Sequence, residues 1–189
     1  MTQKNSSRIN LEDTKALFPK FCFALHNQVF TIDCIMVYSE IKDAVLKLLN
    51  DTKLVVLATA NRNGVVATAQ VLIVNDGLKA YIMTDKKFEK ALNISENPCV
   101  ALSIGAFSFK GLARILGHPL KFKNIANKIK EKHLDSYNTY INIADEVLIE
   151  VRLTEARIWN LGNKDNKTKI IRKVDFEKEK AETINCDMN

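Results

Sequence analysis

Apolar residues fall along this chain in short runs separated by turn residues, and two periods alternate. Leu54–Ala60 (LVVLATA) is a short continuous apolar run, which predicts a strand buried on both faces. Asn61-Arg62-Asn63-Gly64 follows, and Asn-Gly signals a hairpin because both residues tolerate positive φ. Val65–Val74 reads as the return strand, Asn75-Asp76-Gly77 as a second tight turn and Leu78–Thr84 as a third strand. Cys99–Ile104, Phe107–Leu116 and Glu146–Asn160 read as three more, the last alternating over Val147, Ile149, Val151 and Leu153. A period near 3.6 marks Ser39–Asn50, with Ser39 as cap and a stripe of Ile41, Val45, Leu48 and Leu49. It marks Phe122–His133 too, with Phe122, Ile125, Ala126 and Ile129 on the buried side. Six strands linked mostly by hairpins predict a mainly β (α+β) fold, an antiparallel barrel with flanking helices. The βα alternation of a doubly wound sheet is missing.

The third helix, Asp85–Glu96, is the centre of interest. It leads out of the strand ending at Thr84 and stops at Asn97-Pro98. Wound at 3.6 residues per turn, Lys86, Lys90 and Asn93 share one face, and Phe88, Ala91 and Leu92 the other. First-turn N–H groups of a helix lack internal partners and carry the positive end of the macrodipole. With Thr84 or Asp85 as cap, Thr84, Lys86 and Lys90 form a candidate phosphate cradle. The competing reading is a solvated lysine face on an amphipathic helix.

The remaining chain divides into an N-terminal extension (1–38), a central domain (39–162) and a charged tail (163–189) expected to be loose. Residues 1–10 are polar and expected to be disordered. Residues 11–37 are apolar without a clear period. Two explanations stay open: packing on the domain or a partner subunit, or translation starting at Met36. A net charge of +6 spread along the chain suits an anionic ligand without selecting one. Cys22, Cys34, Cys99 and Cys186 are scattered, so no zinc site or redox dithiol is expected. Free thiols and no secretion signal or long apolar stretch point to the cytoplasm, away from membranes.

Motif chemistry is sparse. There is no G-x-G-x-x-G, phosphate loop, H-E-x-x-H or G-x-S-x-G. His26, His118 and His133 lie far apart and no carboxylate pair stands out, so an enzymatic role would rest on a bound cofactor. Phe107 and Phe109 beside Lys110 and Arg114 could stack bases, but that alternation is also ordinary half-buried strand patterning. Nucleic acid is not the expected partner.

In order, the segments VVLATANRNG, VVATAQVLIVNDG, LKAYIMT, DKKFEKALNISENPCVALSIG and GLARILGH resemble the pyridoxamine 5'-phosphate oxidase-like family of FMN-binding split barrels. The resemblance spans roughly residues 39–160 and implies a split barrel forming a homodimer, with FMN in the cleft between subunits. It implies that Thr84 and Lys90 contact the FMN phosphate and ribityl chain, with Lys86 and Lys87 within reach. It assigns Ala67–Val71, including Thr68 and Ala69, to the strand lining the flavin. Arg114 keeps a basic position near it, and Trp159 is the late aromatic supplied by the second subunit. Three positions depart from the oxidases: Ala69 replaces an arginine, Leu112 a glutamine and Phe88 a small hydroxyl residue. After Trp159 comes Asn160-Leu161-Gly162-Asn163 instead of an arginine-rich substrate segment, which sets vitamin B6 phosphate oxidation aside. The resemblance therefore implies hydride or electron transfer at flavin N5 to another small molecule. The alternative is a split barrel that binds flavin or haem without turnover, with His118 and His133 as candidate haem ligands.

Overall fold

The computed structural model describes residues 38–160 and 168–187. The expectations for 1–37 and for 161–167 lie outside them. The order is α1 (Tyr38–Asp51), β1 (Leu54–Ala60), β2 (Val66–Leu72), β3 (Val74–Asp76), β4 (Lys79–Asp85), α2 (Glu89–Glu96), β5 (Cys99–Ile104) and β6 (Phe107–Gly117). A short 3-10 turn at Pro119–Lys121 leads to α3 (Lys123–Lys132), α4 (Leu134–Tyr140), β7 (Glu146–Asn160), β8 (Thr168–Asp175) and β9 (Lys180–Asp187).

All strand pairs are antiparallel, in the order β2-β1-β5-β6-β7-β4-β3, with β8 on β7 and β9 on β8. The 15-residue β7 is the spine: its first half pairs with β4 and its end with β8. This is the mainly antiparallel fold the hairpin spacing predicts. Phe109, 1% exposed, anchors the barrel core with Leu57, Ile82, Leu102 and Ile149. α1 docks there through Ile41, Val45 and Leu49, the expected stripe. A smaller core of Tyr81, Leu148, Ile125 and Ile129 joins α3 to β4 and β7. Gly111 sits where β6 bulges against β7; a Cβ there would stand 2.8 Å from the Arg152 carbonyl oxygen.

Four expectations are corrected. The hairpin after β1 is not made by two positive-φ residues: only Gly64 adopts one (φ +79°). The Asn61 Oδ1 closes the turn, accepting from the N–H groups of Asn63 and Val65. Ser39 lies inside α1, which begins at Tyr38. Most of the expected loose tail is the β8–β9 hairpin, continuing the sheet from the end of β7. β1 is not buried on both faces either. Val55 and Leu57 enter the core, while Leu54 (48%) and Val56 (39%) are exposed on the outer face. Register puts Leu54 beside Leu72, Val56 beside Gln70 and Ser103, and Cys99 beside Leu112, so the outer face of β2-β1-β5-β6 exposes Leu54, Val56, Leu72 and Leu112 among polar side chains. Among the described residues no helix is long and apolar enough to cross a membrane.

Candidate functional site

The end of β4 delivers the site. Thr84 is buried and registers with Val147, and Asp85 with Glu146. The chain then turns instead of entering a helix. The Lys86 N–H donates to the Asp145 carbonyl (2.9 Å), and the Lys87 N–H to Asp85 Oδ1 (2.7 Å). Aspartate bonding its own nearby backbone competes with helix formation, so α2 starts only at Glu89. Neither Thr84 nor Asp85 caps it. Phe88 stands at the cap in extended conformation with no side-chain capping bond. The first intrahelical donors are Ala91 and Leu92, so the N–H groups of Glu89 and Lys90 have no partner among the described residues.

The expected helix faces change accordingly. Ala91, Asn93 and Ile94 point inward, whereas Phe88 and Leu92 are exposed. Asn93 donates from Nδ2 to the Thr59 Oγ1 (3.1 Å), a buried bond that locks α2 onto β1. It belongs to the packing, not to a ligand-facing row.

The three lysines separate in the same way. Lys86 (2.7 Å) and Lys87 both pair with Asp145, and lysine hydrogen bonds hold that carboxyl down at about 2. Among the described residues Lys90 has no carboxylate within ion-pair distance. Its ammonium rests over the Phe88 ring, 4.5 Å from the centroid, and burial lowers its pKa.

Phe88 and Lys90 form a wall between two cavities. The smaller, about 220 Å³, is lined by Thr59, Ala67, Thr68, Ala69, Phe88, Glu89 and Lys90. The alanines of β2 make room there, beside the unpaired N–H groups of α2. The larger, about 420 Å³, runs under α3 and α4; Val71, Met83, Ile129 and Tyr140 are among its apolar walls, and Thr84, Asp85, Lys90, His133 and Glu146 among its polar ones. Both hold room for the parts of a small ligand.

The structure thus brings Thr84, Lys90, Thr68 and Ala69 to cavity walls and leaves the other expected site residues elsewhere. Lys86 and Lys87 are committed to Asp145. Arg114 Nε donates to Glu150 Oε1 (2.8 Å) across the β6–β7 ladder. Glu150 also accepts from the Tyr81 hydroxyl; burial and this bond push Tyr81 up to about 12. Trp159 is half exposed near the end of β7, on the outer sheet face. Neither Arg114 nor Trp159 lines either of these two cavities. Phe109 is core and its ring stacks on Phe107 (centroids 6.2 Å apart), so it offers no surface for a base.

His118 is spent structurally: its Nδ1 accepts from the Leu120 N–H and its Nε2 meets the Ile143 carbonyl. His133 Nε2 lies 2.8 Å from the Ile73 carbonyl, and burial lowers its pKa. Among the described residues no His, Cys, Asp and Glu cluster could hold a metal.

Sequence reading missed Glu146. It is 4% exposed, and burial, then the nearby Asp85 charge, push it up to about 7. Its only signal is a charged residue opening an apolar strand, which solvent exposure explains equally well.

The model of the family described as pyridoxamine 5'-phosphate oxidase matches residues 41–160. No curated protein matches. ChuZ of Campylobacter jejuni is 17% identical, with a TM-score of 0.60 over 74% of this chain and 61% of its own. HutZ, the heme storage protein of Vibrio cholerae, is 13% identical, with a TM-score of 0.52 over 59% of this chain and 88% of its own. General Stress Protein 26 of Bacillus anthracis is 21% identical, with a TM-score of 0.52 over 61% and 91%. At these identities the three share the fold.

Proposed function

The chain belongs to the pyridoxamine 5'-phosphate oxidase family, and from that membership we propose that it binds FMN and is an oxidoreductase acting on a small molecule. One observation carries the reading: Lys90, a half-buried ammonium without a carboxylate partner among the described residues, stands in the first turn of α2 beside two unpaired N–H groups. That is the donor set an anionic phosphate requires. The residues fit the cofactor's phosphate end: Lys90 and the Glu89 and Lys90 N–H groups hold it, Thr84 offers a hydroxyl on the other side of Lys90, and Ala67 and Ala69 leave space. Lys86 and Lys87 act indirectly, by fixing the turn through Asp145. Bound FMN supplies hydride or electron exchange at its ring, and the chain supplies binding, orientation and a dry cavity.

The exposed apolar side chains on the outer face of β2-β1-β5-β6 support a homodimer. Leu54, Val56, Leu72 and Leu112 are exposed together there, with Thr68 and Trp159 on the same face. Such a patch on a monomer marks an interaction surface. A second copy covering it would carry its Trp159 and Arg114 with it. Light scattering should give twice the 21.4 kDa chain mass, and Val56→Arg should return the single-chain value. The exposed free Cys99 on this face fits a reducing cytoplasm.

A second reading, a haem binder without turnover, rests on His133, whose ring lines the larger cavity with only Nε2 engaged. The spectrum of the purified protein separates the two. Flavin bands, with loss of flavin in Lys90→Ala, support the first. A Soret band lost in His133→Ala supports the second.

A further inference from the structure

We infer that the β8–β9 hairpin is a dimerisation arm, whose outward face docks on a second copy of this chain. The hairpin lies beyond residues 41–160, which match the family. The inference rests on the homodimer proposed above and extends its interface. Strand register carries the argument. Val56, Ser103, Ser108, Arg157, Lys173 and Glu182 are partners in turn from β1 to β9, so they form one row on the outer face. Side chains two residues along a strand share its face. The neighbouring row therefore holds Leu72 and Leu54, then, past the β5–β6 turn, Trp159, Ile171 and Ile184. The Trp159 N–H donates to the Ala106 carbonyl (3.1 Å) and so ties the end of β7 to that turn. Ile184 is 42% exposed in a strand rich in polar residues. The hairpin does not turn this row inward, because Val174 and Phe176 occupy its other face and belong to the core. Charge selects a second copy over an acidic or basic partner. Glu155, Arg157, Lys173, Asp175, Lys180 and Glu182 border the row with three charges of each sign. Glu155 pairs with Arg157 (3.0 Å) and Lys173 (3.6 Å), and Lys180 with Glu182 (3.2 Å). A neutral, internally paired border gives no attraction for nucleic acid or anionic lipid. It raises no like-charge barrier to an identical face, and the apolar row is left to make the contact.

Trp159 is the chain's single tryptophan, so its fluorescence reports on this row directly. The test uses the full chain as purified, reading the position of the emission maximum with light scattering on the same samples. The dimer should emit as a sheltered indole, and dilution to the single chain should move the maximum to the red. Ile184→Asp should weaken dimerisation about tenfold or more and give the red-shifted maximum at a concentration where wild type is dimeric. Ile184→Thr, which keeps a β-branched side chain in the strand, should shift both readings in the same direction. Glu182→Gln, one row away on the same strand, should move neither. A dimer whose Trp159 emits as a water-exposed indole, or one that both Ile184 variants leave at wild-type strength, overturns the inference and leaves the homodimer standing. A chain that scatters as a single 21.4 kDa copy at every concentration overturns both.

Discussion

The cavities on either side of Lys90 are built on opposite principles. The smaller is a backbone cradle: its donors are N–H groups left over where α2 begins, and its space comes from the alanines of β2. The larger is a side-chain cavity, made where β2, β4, β7 and two helices meet around one buried carboxyl. The first draws on two short stretches, Ala67–Ala69 and Phe88–Lys90, with Thr59 of β1. The second depends on the β4–β7 register that puts Asp85 opposite Glu146, 61 positions later in the chain. A cradle of backbone groups resists substitution, whereas a cavity of side chains can change specificity one residue at a time.

Filling the smaller cavity should have the largest effect. Ala69→Trp should bring flavin content of the purified protein near zero, and flavin content at the wild-type level would contradict it. Lys90→Ala comes next. Removing a charge-assisted bond of about 1.5–3 kcal/mol should weaken FMN binding roughly tenfold to a hundredfold, read by fluorescence titration of the stripped protein. The Lys90 charge is itself disfavoured by burial, so the variant should unfold no earlier in urea.

Glu146 gives a pH effect in the larger cavity. Its folded value, about 7, lies above its ordinary 4.5, so the folded protein holds the proton more tightly than the unfolded chain. This contribution to stability is fully present below pH 4.5 and is lost as pH rises through 7. Glu146→Gln should therefore be more stable than wild type at pH 8, by on the order of 2–3 kcal/mol, with no such gain at pH 4. Urea titrations at the two pH values check this, and an equal effect at both would contradict it. The smallest change is expected at Lys86→Ala. Its pair with Asp145 is exposed and adds little to stability, and FMN affinity should shift by less than about threefold on the same scale.

Legibility in the sequence follows the same division. β1, β5 and β7 stand where their apolar runs place them, since a run bounded by turn residues carries its own limits. Lys90 was readable because a helix start can be recognised locally. The start itself was placed four residues early: Lys86 is tied to the Asp145 carbonyl and Asp85 to its own turn, and only the former is a long-range contact. Asp85 preceding Lys87 was thus a missed local signal. The β8–β9 hairpin was hidden by its charge. It extends past the core, with Val174 its one fully buried core side chain among the described residues, so no apolar alternation marks it. Glu146 could not be found from its neighbours, because what distinguishes it is burial imposed by α4 and β4.

The cradle at Lys90 is most directly tested by a visible absorption spectrum of the purified protein, with the mass of whatever denaturation releases. Flavin bands and the mass of FMN, both lost in Lys90→Ala and kept in Lys86→Ala, are the predicted result. A colourless protein that takes up no added FMN, or a Lys90→Ala variant that stays fully loaded, would contradict it.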